Sequence, residues 1–309
     1  MIDAVITWVD GNDSEHKRKR KLFLDAEKVG DPEAIAATRF SSNGELPYCI
    51  RLIRKNAPWI NNIYLITDAQ CPSWLDEGQK AKLGVTVVDH KKIFRGYEEV
   101  LPTFNSLAIE TIMYRIPDLS DRFIYFNDDV FIIKPVLETD YFLGSVPLIR
   151  GFSFSKNKLL RELHRLIKPK SFRMKGVVGT GYRQEDGLNL AQKVKIFHTP
   201  HPINRQDYAD LMEGNNRLER NIRSKFRNSS QFGPVPLYTS AGLDSGRVRI
   251  VPRDDLYLDP KIEETIDRTV INSKASAHGI RHMCVQSLDN FGVESQRNIY
   301  ELLDRLIAT

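Results

Sequence analysis

Short β-rich runs alternate with longer helical periods through the first half of the chain, and this alternation limits the fold more than any other feature. It is the sequence sign of βαβ units, whose crossovers set successive strands parallel in one sheet with helices on its faces. Residues 2–9 read as the first strand, followed by a polar turn from Asp10 to Asp13 and a charged helix to about residue 28. Residues 34–44 read as loop. Leu46, Cys49, Ile50 and Ile53 then mark one face of a helix that must stop before Pro58. Strands are expected at 62–67, 85–88 and 122–126, and a helix at 103–116, with Asn127-Asp128-Asp129 at the end of the last strand. Beyond Gly151 come a basic helix, a glycine-rich loop through Gly176, Gly179 and Gly181, a His198 to Pro202 loop, a charged helix near 204–227 and a terminal helix at 293–307.

The expected fold class is α/β: a Rossmann-like, mainly parallel sheet flanked by helices, with a helical insertion. The 309 residues are 41% hydrophobic and 28% charged, a globular composition that leaves no room for a largely disordered reading. We read one catalytic domain over 1–309, with 151–195 as an insertion serving as acceptor element, lid or membrane-surface element. No stretch reaches the roughly 18 apolar residues that a membrane-spanning helix needs. The first residues lack a basic n-region and carry Asp3, so they read as a strand and not a signal peptide, and a cytoplasmic location is expected. Cys49, Cys71 and Cys284 are odd in number and widely spaced, which fits reduced thiols better than a disulfide or zinc framework.

The formal charge is only +5, yet basic residues bunch at Lys17 to Lys21 and from Lys156 to Lys175. In the second cluster Leu159, Leu160, Leu163, Leu166 and Ile167 fall at helical spacing among the basic residues. That pattern suits a helix lying on an anionic membrane surface, and it suits somewhat better a helix packed on its own domain.

Three constellations carry possible chemistry. Asp128 and Asp129 follow a strand where open α/β sheets bind ligands, and paired carboxylates there suit magnesium or manganese bridging to substrate phosphates. Asn-Asp-Asp is also a common β-turn composition. The turn Asp10-Gly11-Asn12-Asp13 would let backbone amides approach a diphosphate, or would simply connect strand to helix with Asp13 as the cap. In Phe197-His198-Thr199-Pro200-His201-Pro202, two prolines stiffen a loop that could hold an imidazole as general base. Arg205, Arg217, Arg220, Arg223 and Arg227 follow, and some could clamp phosphate oxygens.

Taken together these strings resemble the four blocks of the Stealth family, which includes bacterial capsule and cell-wall phosphoglycan enzymes. Residues 3–13 resemble the first block, residues 39–75, 87–94 and 101–135 the second, and 197–205 with Phe226-Arg227 the third. The fourth departs from the family's Cys-x-Asn-Asp-like string, reading Cys284-Val285-Gln286-Ser287-Leu288-Asp289. Either Asp289 substitutes for the missing acid from a shifted position, or Gln286 and Ser287 meet the donor without a metal. The resemblance implies a GT-A-like domain that moves a sugar-1-phosphate from a UDP-sugar to an oligosaccharide or lipid-linked glycan acceptor, releasing UMP. Carried over by position, His201 is the general base, His198 its neighbour, Arg227 the phosphoryl clamp, and Glu45 a further catalytic residue. Trp8, Asp10, Gly11, Asp13, Arg39, Asn43, Asn105 and Asn127 would line the donor site, and Asp128, Asp129 and Asp289 would meet Mg2+ or Mn2+. The rivals are a conventional GT-A glycosyltransferase releasing UDP and a non-catalytic module for anionic glycan or nucleic acid. The module reading leaves the histidines and acid pair without a purpose, so no nucleic-acid partner is expected.

Overall fold

The computed structural model describes residues 1–26, 40–155, 177–179, 188, 190 and 192–308. Its central sheet begins with β1 (Ile2–Thr7), and α1 (Ser14–Ala26) follows the polar turn. Next come α2 (Glu45–Asn56), β2 (Ile63–Thr67), α3 (Glu77–Leu83), β3 (Val85–Asp89) and the single turn α4 (His90–Ile93). A short helix α5 (Ser106–Ile112) then leads to β4 (Arg122–Asn127). β1 pairs parallel with β2 on one side and with β4 on the other, and β2 pairs parallel with β3. Because the chain steps outward from β1 to β3 and then returns to lay β4 on the opposite side, the order reverses between β1 and β4. Ligands of open α/β sheets bind at that reversal, outside the carboxyl ends of the strands.

β1 is buried on both faces, as a central parallel strand must be. Ile2, Ala4 and Ile6 pack toward α2, while Val5 packs on the opposite face with the core that includes Ala108, Ile109 and Ile112 of α5. Each such fully buried aliphatic side chain contributes about 1.5–3 kcal/mol of transfer free energy. Asp3 is buried among them because three donors meet its carboxylate: Asn61 Nδ2, the Asn62 amide and the Ser120 amide, at 2.8–3.1 Å.

The remaining strands are β5 (Val130–Ile132), β6 (Phe142–Leu143), β7 (Val146–Ser155), β8 (Val177–Gly179), β9 (Gln192–Phe197), β10 (His201–Asn204), β11 (Arg249–Val251), β12 (Asp255–Leu258) and β13 (His282–Val285). The strand β10 joins the edge of the central sheet antiparallel to β4. A second sheet runs β11-β7-β9-β8, and a third, β12-β13-β5, carries Cys284 beside Val130. The remaining helices are α6 (Arg205–Glu213), α7 (Arg217–Ile222), α8 (Pro234–Asp244), α9 (Arg268–Ser276) and α10 (Val293–Ala308).

Four expectations change. His201 and Pro202 belong to an edge strand and not to a loop, because at an edge the missing proline N–H breaks no ladder bond. Val177–Gly179 is strand and not glycine-rich loop, paired with β9. The expected charged helix at 204–227 is two helices, broken where Asn215 and Asn216 adopt left-handed backbone. The expected helix at 103–116 is shorter, since Asn105 caps it at Ser106 and a 3-10 turn takes over at Met113. The basic segment Lys156 to Lys175, on which the membrane-surface reading rests, lies outside the described residues. Among the described residues no helix is long and apolar enough to cross a membrane.

Candidate active site

The carboxyl ends of β1 and β4 stand side by side, with Thr7 and Asn127 as register partners. Beyond them the chain delivers Trp8 from one strand and Asp128-Asp129 from the other. On the β1 side a cleft of about 460 Å³ is lined by Trp8, Asp10, Asp13, Asp68, Gln70 and Trp74, among others. Its floor is fixed by hydrogen bonds: the Asp10 amide donates to Gln70 Oε1 at 2.8 Å and Gln70 Nε2 donates to the Asp10 carbonyl at 2.9 Å. Trp8 Nε1 donates to Ser42 Oγ at 3.1 Å, tying the turn 41–45 to the cleft.

That turn is the wall between the cleft and a cluster of acids. Ser42 and Gly44 line the cleft, while Ser41 Oγ donates to Asp289 Oδ2 at 3.3 Å and Asn43 grips Glu45. Glu45, Asp128, Asp129 and Asp289 therefore share one neighbourhood. Burial and mutual repulsion raise the carboxyls of Asp128 and Glu45, and burial together with Glu45 lifts Asp129 to about 7. Asp129 Oδ1 and Asp289 Oδ1 are buried without any hydrogen-bond partner.

Such a hard-oxygen donor set, short of positive charge, fits a hard divalent cation. Among the described residues no group of three or more His, Cys, Asp or Glu side chains already stands in metal-holding geometry. The fit is thus to an ion of the magnesium kind, which takes one or two protein carboxylates and completes its shell with substrate phosphates and water. Cys49 and Cys284 flank the acids as buried thiols: Cys49 Sγ lies 3.9 Å from the Asn127 carbonyl, and burial pushes both thiols well up. They remain free thiols, as does the exposed Cys71.

On the other side of β4 stands a second group. Tyr125 Oη donates to Asn127 Oδ1 at 2.8 Å and lies 3.0 Å from Thr7 Oγ1 and 3.4 Å from Glu110 Oε1. Arg227 donates to Ser106 Oγ and faces Glu110. Burial lifts the Glu110 carboxyl to about 7, against the opposing pull of Arg227. His198 packs its ring 5.3 Å from that of Tyr257, and His201 lies 6.4 Å from Tyr125 in a stacked arrangement. Burial depresses both imidazoles, His198 to about 4 and His201 to about 3. The Nδ1 atom of His201 is buried with no partner in the protein.

The structure thus gathers Trp8, Asp10, Asp13, Asn43, Glu45, Asn127, Asp128, Asp129, His198, His201, Arg227 and Asp289 around the carboxyl ends of β1 and β4. Asp13 also caps α1 through the His16 amide at 2.8 Å. Asn43 works on Glu45. Two further expectations meet a different local reason. Asn105 is buried and spent on its own fold: Oδ1 caps Leu107 while Nδ2 donates to Ser224 O and Gln231 Oε1. The Gly11 amide is already bonded to the Phe40 carbonyl at 2.8 Å, so it is closed to a phosphate. Arg39 lies outside the described residues.

Sequence reasoning missed Glu110, Tyr125 and Ser106. The available signal was an acid inside an otherwise apolar turn, Leu107-Ala108-Ile109-Glu110-Thr111-Ile112, since a charge in such a setting needs a partner. It also missed His16, which lies 3.3 Å from Asp68 and with Lys19 and His90 brings that carboxyl down to about 2, against the opposing effect of burial.

Comparison with known proteins meets the same segments. Residues 2–27 match Stealth protein CR1, conserved region 1, and residues 39–147 match Stealth protein CR2, conserved region 2. The exopolysaccharide phosphotransferase SCO6023 of Streptomyces coelicolor is 42% identical over 144 residues, which are 47% of this chain and 23% of that protein. The capsular polysaccharide phosphotransferase LcbA of Neisseria meningitidis is 38% identical over 141 residues, 46% of this chain and 37% of that one. Exopolysaccharide phosphotransferase cps2G of Lactiplantibacillus plantarum is 43% identical over 141 residues, 46% of this chain and 39% of that one. The matched stretch therefore spans well under half the length of these curated relatives. Among solved structures, galactosyltransferase LgtC in complex with donor and acceptor sugar analogues aligns with a TM-score of 0.43 at 12% identity, covering 99% of this chain and 95% of that one. The bifunctional glycosyltransferase WbbM aligns at 0.44 and 11%, covering 100% of this chain and 50% of that one. The two matched regions follow one another in order and contain Trp8, Glu45, Glu110, Asp128 and Asp129, so the chain carries segments that match conserved regions 1 and 2 of the Stealth proteins.

Proposed function

We propose that this chain transfers hexose-1-phosphate or N-acetylhexosamine-1-phosphate from a UDP-sugar to a hydroxyl of an oligosaccharide or lipid-linked glycan in capsular or exopolysaccharide synthesis. The observation that carries this reading is the juxtaposition at the sheet's switch point. A nucleotide-sized cleft bearing Trp8 and Trp74 shares a wall, the turn 41–45, with a cation-hungry acid cluster, and Glu110 and Arg227 lie beyond it. The relatives that match are named as phosphotransferases, which supports phosphoryl transfer over transfer of a bare sugar.

In this reading the cleft holds the nucleoside and the acids face the diphosphate. A bound Mg2+ or Mn2+ would be held by one or two carboxylates drawn from Asp128, Asp129 and Asp289 and would neutralise charge on the diphosphate. Arg227 holds the transferred phosphoryl with the planar, bidentate donors that suit phosphate oxygens. The acceptor oxygen attacks the sugar-bearing phosphorus, the bond from that phosphorus to the bridging oxygen breaks, and UMP departs with the electron pair. The acceptor's proton goes to Glu110, whose carboxyl titrates near neutrality while burial holds both imidazoles far below it. His201 then serves as a neutral imidazole, its unpaired Nδ1 orienting the acceptor hydroxyl.

Incubation with a panel of UDP-sugars and a glycan acceptor tests the class and the donor together. UMP with a sugar phosphodiester product is the expected result. UDP with a sugar lacking phosphate would instead make the chain a conventional glycosyltransferase using the same acids.

A further inference from the structure

Glu45, the first residue of α2, is gripped by the turn ahead of it. The Asn43 amide donates to Glu45 Oε2 at 2.7 Å, and Asn43 Nδ2 donates to Oε1 at 3.3 Å. Gly44 stands between them at φ 88°, a left-handed conformation that lets Asn43 fold back over the carboxylate. The turn itself is held from the far end of the sequence, because the Tyr300 hydroxyl on α10 donates to the Asn43 carbonyl oxygen.

α10 is well placed to act as a brace. Ile299, Leu302 and Leu303 are buried in the same core as Leu46, Cys49 and Ile50 of α2. Tyr48 Oη donates to Asp304 Oδ1 at 2.7 Å, and Lys55 Nζ donates to the Leu306 carbonyl at 2.7 Å. The two helices are therefore locked along their lengths, and Tyr300 projects that rigidity onto the 43–45 turn. Rigid support of this kind is what a carboxylate beside a cation site requires, since loose surroundings of the ligands lose geometry and affinity together.

We infer that Tyr300 is a positioning residue: its bond to the Asn43 carbonyl holds the 43–45 turn so that the Glu45 carboxylate stays beside Asp128 and Asp129, the acids that would take the cation, and adds its charge there. This inference rests on the proposed cation-binding role of the acid cluster.

Manganese binding to the whole chain, followed by the EPR signal of free Mn2+, tests it without any need for turnover. Tyr300→Phe keeps the ring and removes only the hydroxyl; it should weaken Mn2+ binding about three- to tenfold, the effect of one net hydrogen bond. Tyr48→Phe, which removes a hydroxyl from the same helix pair but not the bond to the turn, should weaken Mn2+ binding less than Tyr300→Phe does. If Tyr300 acts through Glu45, its effect vanishes in a Glu45→Gln background, because a double-mutant cycle isolates that coupling. Asn43→Ala, which leaves α10 untouched, gives an independent arm with the same expected weakening and the same loss of effect beside Glu45→Gln. Unchanged binding in Tyr300→Phe, or equal weakening with and without Glu45, overturns the inference alone. Absence of Mn2+ binding by the unmodified chain overturns the cation reading and this inference with it.

Discussion

Tyr125 Oη lies 3.4 Å from Glu110 Oε1, and this contact joins the carboxyl end of β4 to α5. The hydroxyl's shorter bond is to Asn127 Oδ1 at 2.8 Å, and the help that Arg227, Tyr125 and Ser106 give the Glu110 carboxylate does not offset its burial. Burial then dominates, and the carboxyl titrates at about 7.

Glu110→Gln should lower kcat by at least the roughly 10²-fold typical of a lost general base. In the unmodified chain the rate should fall as pH drops below about 7, because a protonated Glu110 cannot accept the acceptor's proton. With Mn2+ saturating at every pH, so that Asp129 stays ligated, the acid limb should be missing from the residual activity of Glu110→Gln. Stability gives a second readout with a defined sign. The folded-state value is raised, so this group's contribution is fully present below the unfolded value and is lost as pH rises through about 7. Melting temperatures measured from pH 4.5 to 8 should decline less steeply for the variant. A kcat profile that keeps its acid limb would return the base role to a histidine.

Asp129 makes a separate prediction about the cation. Its carboxyl, lifted to about 7 by burial and by Glu45, must lose its proton before it can ligate. Affinity for Mn2+ should therefore rise by at least about tenfold per pH unit between pH 5 and 7. Asp129→Asn should make that slope shallower by about one proton, leaving the part that the raised Asp128 carboxyl supplies, and EDTA should stop turnover of the unmodified chain. Full activity in EDTA would remove the cation from the account.

The doubly wound half of the fold was legible in the sequence because β1, β2 and β4 are apolar runs with sharp polar ends, Thr7-Trp8 and Asn127-Asp128 among them. Residues delivered by those ends were legible for the same reason. Glu110 was not, because its importance comes from Arg227 and Tyr125, which lie far from it in sequence and reach it only through the sheet and the loop after α7. The depressed imidazoles were equally invisible: two prolines beside His201 signalled rigidity, while the burial that decides its charge depends on β10 pairing with β4. Asn105 misled for a complementary reason, since a polar residue ahead of a helix can be a cap as readily as a ligand.

His201→Ala should reduce turnover by about 10²-fold, the scale of losing an orienting contact at the reacting centre. Unlike Glu110→Gln, it should leave the acid limb of the rate profile near pH 7 in place, because an imidazole held at about 3 is neutral across that range. A limb that disappears with His201 would show that donor binding raises the imidazole into the working range.

Gly11→Ala tests how the cleft wall is built. A β-carbon at this position would stand 2.2 Å from the Phe40 carbonyl oxygen and 2.5 Å from Phe40 Cβ, so the 40–42 segment must move away. Overpacking of this kind costs about 1–3 kcal/mol. The displacement travels along the chain to Ser41, which bonds Asp289, and to Ser42, which bonds Trp8. The variant should therefore melt at a lower temperature and also bind the donor nucleotide more weakly, with a raised KM for the UDP-sugar. Were the melting temperature to fall with KM unchanged, the wall would be shown to tolerate that shift, and Gly11 would matter to packing alone.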